Sequence, residues 1–541
     1  MWSQGDDQPY KDWVAVHDTL RDSDRQVILR RLVGLRPRPL FSIVLLPAED
    51  IAAADARRVI ASVQGQLYPD WELLAPADQL GPDANDDHRL RRLGETSGAA
   101  ALFDEAVGAA RGAFVVPLPC DTLLAEAALY ELAVAAGRPG EADILYSDED
   151  RCDRAGDRVA PRFKTAWDPE VAQERDALGL IAAYRTSRLR RVLASAGASS
   201  DSVSFLAELS HRAAFDAAAH AIRHVPAVLC HRLGAAPPAA AANGGRPRTF
   251  RPAPQPAPLV SVIILTRDRA ELVEQCVDGL LNRTDYPALE ILVVDNDSRE
   301  EATRNLFERL GRDHDVRVVP HPGAFNFSAL NNRAARIARG EILLLLNNDV
   351  DVIHPEWLAE MVSHAIRPDV GAVGAKLLYA DGRIQHAGVV LGPGRNLVHQ
   401  LRGAARDDPG PFGELVITRT VSAVTAACMA VRKSVFFEAG CFDENLRIAF
   451  NDIDFCMRLG DSGYRVVWTP HAELFHLESA SRGEDTGSEK HSRSVRELDY
   501  FCRVWGSLID RDPFHNPNVV YGWENTTLSA PPRRARPWMT I

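Results

Sequence analysis

At 541 residues, with 46% hydrophobic and 25% charged side chains, the chain has the make-up of a globular protein too long for one core. Its formal net charge of −12 excludes a general nucleic-acid binder, whose footprint is basic. Eight cysteines without a CxxC pair give no zinc framework.

No apolar run approaches the roughly 20 residues that span a bilayer, and the start MWSQGDDQPYKDW is polar and acidic rather than a secretion signal. A cytoplasmic protein with reduced thiols is therefore expected. In chain order, residues 1–37 read as an N-terminal extension. A first domain is predicted over 38–235. It opens on the strand Leu40-Phe41-Ser42-Ile43-Val44, continues through Tyr68-Pro69-Asp70-Trp71-Glu72-Leu73, and reaches Arg111-Gly112 before another apolar strand. Residues 236–258, APPAAAANGGRPRTFRPAPQPAP, offer little to pack and read as a linker. Beyond it the pattern returns as Leu259-Val260-Ser261-Val262-Ile263, Tyr286-Pro287-Ala288-Leu289-Glu290-Ile291, and Arg339-Gly340 before an apolar strand. Matches in the same order mark a tandem repeat. Each copy reads strand, helix, strand, turn, helix, strand, which predicts an α/β fold with a mostly parallel, helix-covered sheet.

The second copy carries the polar chemistry. Its first strand, VSVIILTRDR, ends in Thr266, Arg267 and Asp268, and its second, ILVVDNDS, in Asp295, Asn296, Asp297 and Ser298. The third, EILLLLNNDVDVIH, has a leucine run that reads as buried on both faces and stops at Asn347, Asn348, Asp349, Val350 and Asp351. Oxygen-bearing side chains at the carboxyl ends of buried strands stand where open α/β sheets bind ligands. Clustered there, carboxylates suit a hard divalent cation; they also suit the cap of a helix starting near Pro355-Glu356-Trp357. In the first copy, ELLAPADQ sets Ala75 and Pro76 against Asp295 and Asn296, Pro119-Cys120-Asp121 replaces Asn347-Asn348-Asp349, and Leu123 faces Asp351. A copy that keeps its core but loses these acids reads as structural or acceptor-binding.

In order, VSVIILTRDR, VVDNDS, FNFSALNNRAARIARGE, LLLLNNDVD, ACMAVRKSVFFEAGCFDE, NDIDFCMRLGDSGYRVVWTPHAELFHLESASRG and DPFHNPN resemble the family 2 glycosyltransferases of GT-A fold, of the bacterial rhamnosyltransferase-like, O-antigen and cell-wall type. The resemblance is close over about 259–520 and weaker over 38–235, where ADILYSDEDRCDRAGDRVAPRFK is typical of tandem members. It implies two tandem GT-A domains, the first degenerate, with a catalytic domain at 259–482 and a helical or extended tail at 483–541.

Carried over from that family, Thr266, Arg267, Asp295 and Asn296 hold the base and ribose of a UDP-, dTDP- or GDP-sugar. Asp268 joins them or caps the helix beginning at Glu271. The DXD-like element falls on Asn347-Asn348-Asp349, leaving Asp349 as chief anchor for Mn²⁺ or Mg²⁺ and the pyrophosphate. Asp351 is a second metal candidate or a helix cap; His476 completes the metal shell or is structural. Arg482 meets the pyrophosphate or is an ordinary exposed arginine. Asp452, in Asn451-Asp452, is the implied catalytic base. Asp443 and Glu444 border the acceptor site, after Cys441, where the family usually has glycine and the backbone is expected to differ. Asp454 is a further acceptor-side candidate, or a first-turn charge favoured by the helix dipole.

The implied activity is metal-dependent, inverting transfer of a sugar to a bacterial glycan or lipid-linked acceptor. The basic stretch APPRRARPW is expected to touch the anionic inner face of the membrane. Competing readings are a bifunctional enzyme with both halves active and an inactive glycan-binding or scaffold protein. A nucleotidyltransferase would carry a Gly-rich basic loop where LTRDRAEL has no glycine, and a dinucleotide-binding oxidoreductase would carry GxGxxG after its first strand.

Overall fold

The computed structural model describes residues 7–47, 52–80, 87–94, 98–193, 202–215, 217–234, 250–314, 316–392, 396–477, 488–521 and 526–539. The chain forms two compact units. The first is Met1–Ala242 with Asn516–Val520 and Thr527–Ile541; the second is Asn243–His515 with Tyr521–Thr526.

In the first unit the main sheet runs, in spatial order, Leu90–Leu93, Trp71–Pro76, Phe41–Leu46, Phe114–Pro119, Ala182–Arg185, Ile144–Cys152, Ile222–Leu233 and Thr122–Leu124. Its first four strands are parallel. Every residue of Phe41–Leu46 is buried, as a strand covered by helices on both faces requires. The stretch expected as an extension is two helices, Gln8–His17 and Asp22–Gly34, which bury Tyr10, Trp13, Ile28 and Leu32.

The end of the chain also completes this unit. Asn516 and Asn518 donate to the buried Asp148 carboxylate at 2.9 and 3.3 Å. Arg534 pairs with Glu131 at 3.0 Å and Asp18 at 3.4 Å, and Trp538 Nε1 donates to Asp24 at 3.0 Å. Residues 483–541, expected as one tail, therefore divide: the helix Ser488–Trp505 belongs to the second unit and the residues from Thr527 on to the first. The same geometry engages the arginines of APPRRARPW, the stretch expected to touch a membrane. Arg533 donates to the Asn516 and Val519 carbonyls, Arg534 is buried in its ion pairs, and Arg536 donates to the His17 carbonyl. Among the described residues, no helix is long and apolar enough to cross a membrane.

The second unit repeats the plan: Arg317–Pro320, Leu289–Asp295, Val260–Thr266, Ile342–Asn347, Cys428–Arg432, Val370–Leu378, Arg465–His476 and Val350–Val352. The first four are parallel, and Cys428–Arg432 runs antiparallel to Ile342–Asn347. Both units thus have the mixed, mostly parallel α/β sheet expected of tandem GT-A domains.

One polar arrangement occurs in both sheets. Ser42 Oγ donates to Glu72 at 2.6 Å, while Arg111 N donates to Glu72 and Gly112 N to Ser42 Oγ at 2.7 and 2.8 Å. Ser261, Glu290, Arg339 and Gly340 repeat it, with both backbone donors at 2.7 Å. Burial alone would raise the Glu290 carboxyl, but the hydrogen bonds from Ser261 and Arg339 hold it below the usual carboxylate range. A Cβ on Gly340 would lie 2.6 Å from Ser261 N, so the close approach demands glycine. This anchor corrects the expected alignment of the copies. Trp71 pairs with Phe41 as Leu289 pairs with Val260, and Glu72 matches Glu290. Counting on from there, Ala77 and Asp78, not Ala75 and Pro76, stand at the positions of Asp295 and Asn296.

Candidate functional site

Three strand ends of the second unit converge. Thr266 lies opposite Asp295 in the parallel ladder; its Oγ1 donates to the Asp268 carbonyl at 3.0 Å and accepts from Asn348 Nδ2 at 3.1 Å. Asp295 accepts from Ser298 N at 2.9 Å. Asn296 is buried and donates to the His321 and Gly323 carbonyls at 2.9 and 3.1 Å, while its Oδ1 has no partner. Arg267 is exposed. Asp268 does not cap the helix expected: its Oδ1 accepts from Arg299 N and Glu300 N at 2.7 and 2.9 Å, in the turn that leads into Glu301–Asp313. Asp268 and Arg269 both take left-handed backbone, with φ of 58° and 64°, which sets the carboxylate against the neighbouring loop.

Beside them, Asp349 and His476 meet, Oδ1 to Nε2, at 3.2 Å. Val350 and His476 are partners in the antiparallel ladder of Val350–Val352 with Arg465–His476. Gln385 fixes the ring. Its Nε2 donates to the His476 carbonyl at 3.2 Å, so its Oε1 faces His476 Nδ1 at 2.6 Å and accepts that proton. The tautomer, assigned from this network, leaves Nε2 with a lone pair, which accepts from Asn347 Nδ2 at 3.1 Å and lies against Asp349. Asp349 is buried and its Oδ1 has no hydrogen-bond donor. A cation seated between Nε2 and the unpartnered carboxylate oxygen would take over the lone pair that Asn347 Nδ2 now occupies, with the second ring nitrogen already held by an amide, as metal-binding histidines require. Among the described residues no group of three or more His, Cys, Asp or Glu side chains could hold a metal, so this pair would leave most positions to the ligand and water.

Asp351 stands apart: it is ion-paired to Arg283, which also donates to the Val352 carbonyl at 3.1 Å. In the ladder it faces Phe475, one step from His476, so its side chain takes the opposite face of the sheet from that of Val350. Arg482 lies outside the described residues. Gln385 was not legible in the sequence, since its role depends on a partner 91 positions away.

The helix Asn451–Asp461 follows Phe450, whose φ of 63° makes the N-terminal turn without a side-chain cap. Asp452 is half-buried inside the first turn. Its Oδ2 accepts from Ala426 N at 3.1 Å, and the next residue's carbonyl, that of Ala427, accepts from Asn347 N at 3.0 Å. Asp452 is therefore joined through one turn to the end of the Ile342–Asn347 strand. Asp454 is buried with both oxygens engaged, by Arg458 Nε and by Trp505 Nε1, each at 2.9 Å. It secures the helix Ser488–Trp505 and has no oxygen turned to an acceptor. Asp443 accepts from Tyr500 OH at 2.6 Å and Asn445 N at 2.9 Å; Glu444 accepts from Asn332 Nδ2 at 3.1 Å. Phe327–Ile337 thus staples the loop after Cys441, and Cys441 keeps the glycine-like backbone at φ 63°.

Residues 261–437 match the family described as Glycosyl transferase family 2. The chain is 35% identical to an uncharacterized protein, y4gI, of Sinorhizobium fredii, over 94% of this chain and 61% of that one. It is 34% identical to the O-antigen biosynthesis protein RfbC of Myxococcus xanthus, over 94% of this chain and 42% of that one. It thus spans less than two thirds of either relative. A solved mannosyltransferase of Pyrobaculum calidifontis, in complex with GDP-Man and Mn²⁺, is similar at 20% identity and a TM-score of 0.35, over 49% of this chain and 73% of that one. Its second unit thus carries the stretch, residues 261–437, that is similar to glycosyl transferase family 2.

Proposed function

We propose that the second unit transfers a sugar from a nucleotide-sugar donor to a glycan or lipid-linked saccharide in bacterial polysaccharide assembly, with inversion at the anomeric carbon. The supporting observation is the link from Asp452 through Ala426 and Ala427 to the strand end bearing Asn347, Asn348 and Asp349. Kinship with a protein named for O-antigen biosynthesis supports the acceptor class.

Thr266, Asp295 and Asn296 would position the nucleoside of a UDP-, dTDP- or GDP-sugar. Asp452 takes the proton of the acceptor hydroxyl as its oxygen bonds to C1 and the bond from C1 to the diphosphate breaks. One displacement by one base inverts the centre. Asp349 and His476 would hold Mn²⁺ or Mg²⁺, which offsets charge on the departing diphosphate.

Asp452→Asn tests the assignment, because the amide oxygen still accepts the Ala426 N–H but takes up no proton. Nucleoside diphosphate release across a donor panel should fall about 10²–10⁴-fold, with donor affinity and melting temperature unchanged. Turnover within a few-fold of wild type would remove Asp452 from the role.

A further inference from the structure

The first unit contains the counterpart of the Asp349–His476 pair. Leu233 N donates to the Asp121 carbonyl at 2.7 Å, just as Leu477 N donates to that of Asp349 at 2.9 Å. Thr122 pairs with Arg232 in one ladder as Val350 pairs with His476 in the other. Leu46 pairs with Pro119 as Leu265 pairs with Asn347, which fixes the same register from the opposite side. Asp121 thus occupies the Asp349 position, and Arg232 that of His476.

The side chains differ in kind. Arg232 Nε donates to Asp121 Oδ2 at 2.8 Å and Thr122 Oγ1 to Oδ1 at 3.0 Å, so both carboxylate oxygens are partnered where Asp349 Oδ1 is not. The orienting amide is missing too. Glu149 and Leu377 are equivalent, facing Cys230 and Leu474, and they pair with Arg162 and His386. One residue earlier, Pro161 stands where Gln385 stands. Matching Phe205 and Leu209 to Phe455 and Leu459 sets Ser202 at the position of Asp452.

We propose that Arg232 takes the place of a divalent cation in the first unit, so that the chain binds one such ion in the second unit and none in the first. The inference rests on the metal reading of Asp349 and His476. A guanidinium offers no lone pair and keeps its proton at any pH a protein survives, so Arg232 neutralises Asp121 permanently and repels a second cation. A histidine at that place provides a ligand; an arginine is itself the charge.

The test is a Mn²⁺ titration of the full chain, reading free ion by electron paramagnetic resonance, with Mn²⁺ alone and with inorganic pyrophosphate. One equivalent is expected for wild type and Asp121→Asn, none for Asp349→Ala, and a second, weaker equivalent for Arg232→His. Two equivalents in wild type overturn the proposal, as does a single one lost in Asp121→Asn and kept in Asp349→Ala. A folded Arg232→His that gains none also overturns it, since something else then excludes the ion. No binding in wild type instead overturns the metal reading of the second unit, and this inference falls with it.

Discussion

Gln385→Leu keeps a side chain of similar size while deleting both amide contacts to His476, the Nδ1–H···Oε1 bond of 2.6 Å and the Nε2–H···O=C bond of 3.2 Å. Two separable losses follow. The buried Nδ1–H loses its acceptor, which costs about 1–3 kcal/mol of stability. The imidazole loses the partner that fixes its tautomer, which typically weakens metal affinity about 10–100-fold. At about 1.4 kcal/mol per decade, that is about 1.4–2.8 kcal/mol of binding. Gln385→Glu is the control: a carboxylate oxygen still accepts from Nδ1 and increases the basicity of Nε2, so affinity should hold or rise. The assay is a Mn²⁺ titration of all three proteins alongside melting in the absence of metal. A leucine variant that melts lower yet binds Mn²⁺ within twofold of wild type would refute the reasoning and leave Gln385 as a packing residue.

Gly340→Ala should cost about 1–3 kcal/mol or more by chemical denaturation, because its Cβ would meet Ser261 N at 2.6 Å and the Leu259 carbonyl at 2.7 Å, backbone that cannot rotate aside. Gly112→Ala should do the same in the first unit, with Leu40 O and Ser42 N both at 2.7 Å; an unchanged unfolding curve for either contradicts the shared anchor. Asp454→Ala should lower stability by about 1–3 kcal/mol through the stranded Trp505 Nε1 and Arg458, and leave donor affinity intact; a selective loss of acceptor affinity would return Asp454 to the acceptor site. Burial would raise the Glu149 carboxyl, but Lys164 and Arg162 outweigh it and bring it from 4.5 down to about 2. Its stabilising effect is thus full above the unfolded value and lost as pH falls from about 5 towards 2. Glu149→Gln should therefore be less stable at neutral pH and decline less steeply in acid, and parallel acid-unfolding curves would contradict the assignment.

What the sequence made legible was what lies close along the chain. The Leu343–Leu346 run ending in Asn347, Asn348 and Asp349 announces a buried strand and its polar end, because both signals occupy consecutive residues. The repeat was visible in Ser42, Glu72 and Gly112 against Ser261, Glu290 and Gly340, since a buried polar anchor constrains residue type as well as spacing. Counting from the anchored Glu72 gives Ala77 opposite Asp295; fixing on the ends of the apolar runs instead slipped the match by two residues. Asp351 and Asp454 were ambiguous for a different reason. Their partners Arg283 and Trp505 lie 68 and 51 positions away, and nothing local distinguishes a paired carboxylate from a free one. Asp268 was open between a nucleotide contact and a cap for the helix at Glu271; two successive left-handed residues turn it instead to the backbone ahead of Glu301–Asp313.

The closure of the first unit by residues 516–538 sets an order on synthesis. The ribosome delivers that unit's strands first, then the whole of 243–515, and only afterwards the asparagines, arginine and tryptophan that the early-made half needs. At about 5–20 residues per second, the interval lasts roughly 15–55 s. Throughout it Asp148 lacks Asn516 and Asn518, Glu131 lacks Arg534, and Asp24 lacks Trp538. The half translated first is thus completed after the second, and until then Asp148 has only His224 and Lys164 N, and Asp24 only Arg21 N, to offset its burial. Defects in residues 527–538 should accordingly surface as poor yield of folded protein.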